Sequence, residues 1–245
     1  MQEGRHIFVG GGIASLAGAA LLLRDHGVNG DDIVILEASG QIGGSLDATQ
    51  PGEDTYLVRG ARMFEEHFVC TLDLLAGIPS PDLAGKSLRD DLLSFNDEHK
   101  VPYAFDQLVD GQILGRHSGG LTMSQVASFI RMMFTPESRL DGLRISQCLP
   151  RSYFDSEHWL AASTAFAFQP WHSAAEFRRY MHRFLHFLLP PELRAPILST
   201  RYNQNESLVA PLKDWLTGAG VEIRTNARVT AARFEAEGSG QRIAE

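Results

Sequence analysis

The stretch that most constrains the fold is Arg5-His-Ile-Phe-Val-Gly-Gly-Gly-Ile-Ala-Ser15. Ile7, Phe8 and Val9 form a short apolar run of strand type, Gly10, Gly11 and Gly12 follow at once, and the alanine- and leucine-rich segment Leu16 to Arg24 reads as a helix. Gly10 answers to a sharp turn. Gly12 answers to an approach so close that a side chain would hold a pyrophosphate away from the backbone N–H groups at the helix start. Ile13 and Ala14 open that helix and join the glycines as cofactor-binding candidates, and Ser15 takes the third small position, where helix must lie close to strand. Ile33 to Leu36 then reads as a second buried strand that ends on Glu37, 22 residues beyond Ser15. A carboxylate there accepts hydrogen bonds from ribose hydroxyls.

Just past Glu37, a second glycine pair in Ile42-Gly43-Gly44-Ser45 brings more backbone to the same place. The pattern resembles the FAD-binding start of flavoproteins, with Glu37 facing the adenosine ribose and Gly43, Gly44 and Ser45 near the pyrophosphate or flavin. The expected fold class is α/β: a Rossmann-like FAD-binding domain with a mainly helical substrate-domain insertion. Residues 1–78 are read as the first part of the FAD-binding domain, 79–198 as the mainly helical region, and 199–245 as the return.

A chain of 245 residues is long enough to bury a sizeable core. Its net charge of -8 disfavours a nucleic-acid partner. Its longest apolar stretches, around Ala17 to Leu23 and Phe184 to Leu189, are too short to span a bilayer, although peripheral membrane contact stays open. With the first strand so near the start and no signal-peptide pattern, the expected location is cytoplasmic. Cys70 and Cys148 lie in no CxxC pair and are expected as two buried thiols. His182 and His186 share helical i, i+4 spacing but lack the Glu of a zinc-enzyme motif, so no metal site is assigned. The oligomeric state is left open.

Further along, Phe68, Leu72 and Leu75 carry a helical pattern, preceded by Glu65 and Glu66 and stopped by Gly77 and Pro79. Residues 80–120 read as loops and small strands. Thr122 to Gln125 and Ser173 to Glu176 fit capping boxes, and Ser156 to Phe168 reads as a helix. The second box opens the clearest helix, Ala174 to about Leu189, with Phe177, Tyr180, Met181, Phe184, Leu185 and Leu188 on one face and a basic remainder. After the polar stretch Ser199 to Ser207, a helix runs to about Thr217, and strands follow at Val221 to Thr225 and Arg228 to Phe234.

Taken together, GGGIASLAGAALLLRDHG, VILEASGQIGGSLDA, YLVRGARMFEEHFVC, FAFQPWHSAAEFRRYMHRFLH and RYNQNESLVAPL resemble the oleate hydratase family, also called fatty acid hydratases or myosin-cross-reactive antigens. That resemblance implies FAD-dependent addition of water to the cis-9 double bond of an unsaturated fatty acid, giving 10-hydroxystearate from oleate. Members are much longer, so it also implies an amino-terminal portion. It carries the proton donor onto Tyr180 and flavin contacts onto Arg59, Gly60, Ala61 and Arg62. Substrate contacts fall on Tyr202, Asn203 and Gln204. The base position of the family's RGGRE element holds Met63 here, and a thioether takes no proton from water. Either water is activated otherwise, by Glu65 or Glu66 as a substitute base or through a flavin edge and backbone groups, or the activity is reduced or different; the plainer reading of Glu65 is a solvated partner of the helix dipole on the first helical turn. The alternatives are an FAD-dependent oxidoreductase of similar fold and a flavin- and lipid-binding remnant without hydratase activity.

Overall fold

A computed structural model of the chain describes residues 4–53, 55–58, 63–100, 107–114, 121–184, 197–237 and 240–243. The chain divides into two compact units, one of Met1–Pro102 with Ala195–Glu245 and one of Tyr103–Arg194.

The first unit begins with β1 (His6–Val9), α1 (Ile13–His26) and β2 (Ile33–Leu36). β1 and β2 pair in parallel, Ile7 opposite Val34 and Val9 opposite Leu36, as a strand–helix–strand crossover requires. α1 lies on one face of this sheet. A Cβ at Gly18 would stand 2.8 Å from the Phe8 ring, so the small residue there is what lets helix and strand approach. Leu16, Ala19 and Ile35 are buried in this layer.

The hairpin β3 (Ala48–Gly52) and β4 (Thr55–Val58) follows, then α2 (Val69–Ala76), stopped at Gly77, and α3 (Leu88–Glu98). α3 replaces part of the loops and small strands expected over 80–120. Its polar composition weakens the apolar stripe, but Leu88 and Leu92 are buried in the first unit's core, so that unit runs to Pro102, beyond residue 78. The helix starts in a full capping box: the Asp90 amide donates to Ser87 Oγ (3.2 Å), and the Ser87 amide to Asp90 Oδ2 (3.0 Å).

In the second unit, a small hairpin of β5 (Gln107–Val109) and β6 (Gln112–Leu114) precedes α4 (Met123–Phe134), α5 (Glu137–Leu140), α6 (Ile145–Cys148), α7 (Glu157–Phe166) and α8 (Ala174–Arg183). Thr122 and Gln125 make both bonds of their capping box. Ser173 makes only half of one, because the Glu176 carboxylate turns to Arg179 at 2.6 Å instead. Phe177 and Met181 of α8 are buried against Phe129, Tyr153 and Trp159. The α8 residues expected beyond Phe184, including Leu185, His186 and Leu188, lie outside the described residues.

The chain returns to the first unit through Ile197 and Leu198, makes a π turn at Asn205–Val209, and continues as α9 (Ala210–Gly218). β7 (Glu222–Arg224) joins the parallel sheet beside β2, giving the order β1-β2-β7. The strand expected from Arg228 to Phe234 is corrected: the chain carries no regular structure from residue 227 to 233, and pairing begins only at Phe234, in the hairpin β8 (Phe234–Glu237) and β9 (Gly240–Ile243). The alternation of Val229 and Ala231 finds no ladder there, and Val229 is exposed. Both cysteines are free, but Cys70 is exposed on α2 rather than buried. No helix among the described residues is long and apolar enough to cross a membrane.

Candidate functional site

The best-formed site lies at the carboxyl end of β1. Gly10 turns the chain at φ +98°, with its amide donating to Leu36 O at 2.7 Å. Gly12 then caps α1, and its carbonyl accepts the amides of Ser15 (3.1 Å) and Leu16 (3.2 Å). No side chain caps this end of α1 and its first turn holds no acidic residue. The leading amides of the helix, including those of exposed Ile13 and Ala14, and the positive end of its dipole are therefore available to an anion.

The second glycine pair comes to the first. The Gly43 amide donates to Gly11 O at 2.9 Å, and Gly12 and Gly43 form an isolated parallel bridge. A Cβ at Gly44 would stand 3.1 Å from the Gly12 Cα, whereas one at Gly12 would meet nothing nearer than Gly44 Cα at 4.0 Å. Gly12 thus faces room that protein does not fill. Gly11, which the sequence pattern does not single out, is the tight member: a Cβ there would lie 2.5 Å from Ile42 Cδ1 and 3.1 Å from Glu37 Cβ. Ser45 is exposed just beyond the pair.

Glu37 fastens this cradle. One carboxylate oxygen accepts the Gly11 amide at 2.6 Å and the other the Ser39 amide at 2.7 Å. The Ser39 and Gly11 amides hold its carboxyl below the usual 4.5. The role expected toward a ribose is thus joined by a structural one that non-local folding creates. Because the folded value is depressed, this stabilisation is full above about pH 4.5 and is lost as pH falls through the folded value. The stability advantage of wild type over Glu37→Gln is therefore expected to shrink as pH falls below about 4.5, as followed by urea unfolding at a series of pH values. A constant difference across that range would remove the carboxylate from the account.

Asn205, also unmarked by any sequence pattern, stands over the second glycine turn: its Nδ2 lies 3.0 Å from where a Gly43 Cβ would be, and 3.5 Å from Ile42 O. π turns are frequent at functional sites because they re-aim a helix's side chains. Within the preceding segment, Asn203 is used locally: its Oδ1 accepts the amides of Asn205 (3.0 Å) and Glu206 (3.1 Å), and its Nδ2 donates to Glu206 Oε2. Tyr202 is half-exposed, and Gln204 leads into the turn. The segment is anchored from α3. Arg201 pairs with buried Asp91 at 2.7 Å and lies over the Phe95 ring, while Asn96 exchanges hydrogen bonds with the backbone of Ser199.

Met63 and Glu65 flank Phe64, which pairs with Leu198 through two backbone hydrogen bonds of 2.9 and 2.8 Å. Met63 is 41% exposed. Glu65 is not a solvated residue of the first helical turn, since α2 begins only at Val69; it is 6% exposed and its Oε2 lies 2.9 Å from His67 Nδ1. The Phe64–Leu198 pairing draws it inside, and no local pattern announces that. Arg59, Gly60, Ala61 and Arg62 lie outside the described residues.

Tyr180 belongs to the second unit. It is 42% exposed at the flank of α8, not in its core, and its ring meets Phe166, Phe168 and Phe184 at centroid distances of 5.5, 5.2 and 6.2 Å. A half-open aromatic cluster with a hydroxyl at its edge suits an apolar molecule. Nearby, Arg178 and Arg179 share Glu137, and Arg179 also pairs with Glu176, so part of the basic face of α8 is neutralised within its own unit.

The family model described as MCRA matches residues 4–245. The chain belongs to the MCRA family. It is 32% identical over 248 aligned positions to an oleate hydratase of Streptococcus pyogenes, covering 97% of this chain and 40% of that protein. A linoleate hydratase of Lactiplantibacillus plantarum is 29% identical, over 96% of this chain and 45% of its own length. This MCRA chain thus spans less than half the length of these curated relatives. A solved structure of a Pyrococcus furiosus protein covers 94% of this chain, over 52% of its own, at 15% identity with a TM-score of 0.47.

Proposed function

We propose that this MCRA chain holds FAD in the glycine cradle and contributes the proton donor for hydrating an unsaturated fatty acid. The observation that carries the reading is the meeting of two glycine turns, backbone to backbone, at the open end of α1, in a chain whose relatives are named as hydratases of oleate and linoleate. The residues fit the cofactor. Room at Gly12 and the amides of Ile13 and Ala14 suit a pyrophosphate, the carboxylate of Glu37 suits a ribose, and Gly44 and Ser45 lie exposed beside them, with Gly43 buried beneath. Hydration involves no net redox change, so the flavin would supply a wall and a polar edge of the site rather than electrons.

An isolated alkene is a very weak base, so its protonation needs a donor set in a dry apolar surrounding. Tyr180, against Phe166, Phe168 and Phe184 on one side and half-exposed on the other, has the apolar part of that setting, and a bound acyl chain would exclude water from the rest. Its hydroxyl proton goes to one alkene carbon, the water oxygen bonds to the other as the π bond is spent, and a base takes the proton that water sheds. Met63 cannot serve as that base, and Glu65 is the carboxylate assigned to the role on its chemistry alone. Solvent then restores the tyrosine.

Incubation of FAD-loaded protein with oleate in deuterium oxide tests this. Mass spectrometry is expected to find hydroxystearate carrying carbon-bound solvent deuterium; a ketone or a new double bond would point to an oxidoreductase instead. Met63 favours a second reading, a flavin- and lipid-binding chain that has lost the chemistry. Unchanged oleate together with measurable binding of both ligands would establish that reading in place of the first.

A further inference from the structure

Residues 199–207 are pinned at almost every polar group. Asn96 of α3 accepts the Ser199 amide at 2.9 Å and donates to the Ser199 carbonyl at 2.8 Å, much as a neighbouring strand would. One turn earlier on the same helix, Asp91 Oδ1 takes both Nε and Nη2 of Arg201, at 3.1 and 2.7 Å, and the guanidinium lies 5.1 Å from the centre of the Phe95 ring. Thr200 Oγ1 donates to Tyr202 O, and Ser207 Oγ accepts the Tyr202 amide. Glu206 takes the Asn203 amide on one oxygen and the Tyr56 hydroxyl on the other.

Asn205 is the exception. Its Nδ2 has one partner, Ile42 O at 3.5 Å, the far limit of a hydrogen bond, and among the described residues its Oδ1 accepts nothing. Asn96, by contrast, spends its amide on Leu92 O and Ser199 O. The half-buried Asn205 side chain thus keeps unused donor capacity beside Gly43, which is bridged to Gly12 at the open end of α1. The anchor that places it is costly: Asp91 is only 7% exposed, and a carboxylate taken out of water gains little net stability from its pairing.

We propose that Asn205 is a further cofactor-contacting residue, donating from Nδ2 to the pyrophosphate of the bound dinucleotide beside Gly43, and that Asp91 and Asn96 are the positioning residues that hold it there. The inference rests on the glycine-cradle reading given under the proposed function. Asp91 and Asn96 fix where residues 199–201 cross α3, and the π turn then sets the direction of Asn205. A slip of one residue would bring Glu206 to that station, a carboxylate facing an anion.

Calorimetric titration of the 245-residue chain with FAD, and with ADP, which carries the pyrophosphate without the flavin, tests this. Asn205→Asp keeps the shape of the side chain and replaces its donor by a charge, so both ligands are expected to bind at least about 10-fold more weakly at an unchanged melting temperature. Asn96→Ala is expected to weaken both about as much as Asn205→Ala does, and to weaken them no further once residue 205 is alanine. Should Asn96→Ala not fold, Arg201→Met carries the same expectation, while Arg201→Lys, which keeps a cation opposite Asp91, retains most of the affinity. Wild-type affinity for both ligands in Asn205→Asp, or a loss confined to FAD, overturns the contact and leaves the cradle reading standing. Losses that add in the double variant, or that follow the melting temperature, overturn the positioning role. A wild-type chain that binds neither ligand overturns the cradle reading and this inference with it.

Discussion

Tyr180→Phe is expected to lower hydration by about 10²- to 10⁴-fold, the scale of a lost general acid, in a longer polypeptide that is active as wild type. The substitution keeps the ring against Phe166 and Phe168 and removes only the hydroxyl from a half-exposed position. Flavin binding and melting temperature should therefore stay near wild type. Product formation and thermal melting measured on the same preparations separate the two roles, because a purely packing residue would make activity track stability. Met63→Glu is the companion. Where the site keeps room for an ionised carboxylate, the rate rises; where the new charge meets an apolar wall, its pKa climbs and the rate does not change. An unchanged rate in Tyr180→Phe would sink the proposed proton transfer, whatever Met63→Glu does.

Gly12→Val and Gly11→Ala should fail in different ways. At Gly12 the protein leaves room, with Gly44 Cα the nearest atom at 4.0 Å, so valine there is expected to leave the chain folded while filling the space read as the pyrophosphate seat. Flavin titration should show binding reduced below detection with the far-ultraviolet circular dichroism unchanged. At Gly11 even a methyl group would drive into Ile42 and Glu37, and the Gly11 amide is one of the two that Glu37 holds. Gly11→Ala is therefore expected to destabilise the unit by about 1–3 kcal/mol, the usual cost of overpacking, with flavin loss following from unfolding. If both variants bind flavin as wild type does, the glycine turns are only a corner of the chain.

What the sequence disclosed was local. β1, α1, β2 and Glu37 are legible because turn, helix start and strand lie within one continuous stretch, and each residue type has a single backbone reason to be there. The capping box at Thr122 is legible for the same cause. α3 escaped because its apolar positions are few, although Ser87 and Asp90 offered a capping signal that was there to be read. The burial of Glu65, the fastening of Glu37 to Gly11 and the station of Asn205 over Gly43 all arise from residues 26 or more positions apart or from a return of the chain, and no periodicity records such meetings. The run at 228–234 shows the converse, an alternation with no strand beside it to pair with.

The first unit is closed by residues from both ends of the chain, and this fixes an order of events at the ribosome. Leu16, Ala19 and Ile35 share their core with Leu208, Leu212 and Leu216, which leave the exit tunnel only after all of Tyr103–Arg194 has been made. The second unit has its whole core in hand by then. The first unit must wait, its apolar helix and strands without their last partners through the synthesis of some ninety residues, at about 5–20 residues per second. For those seconds the part of this unit already made shows apolar surface that its later residues will cover.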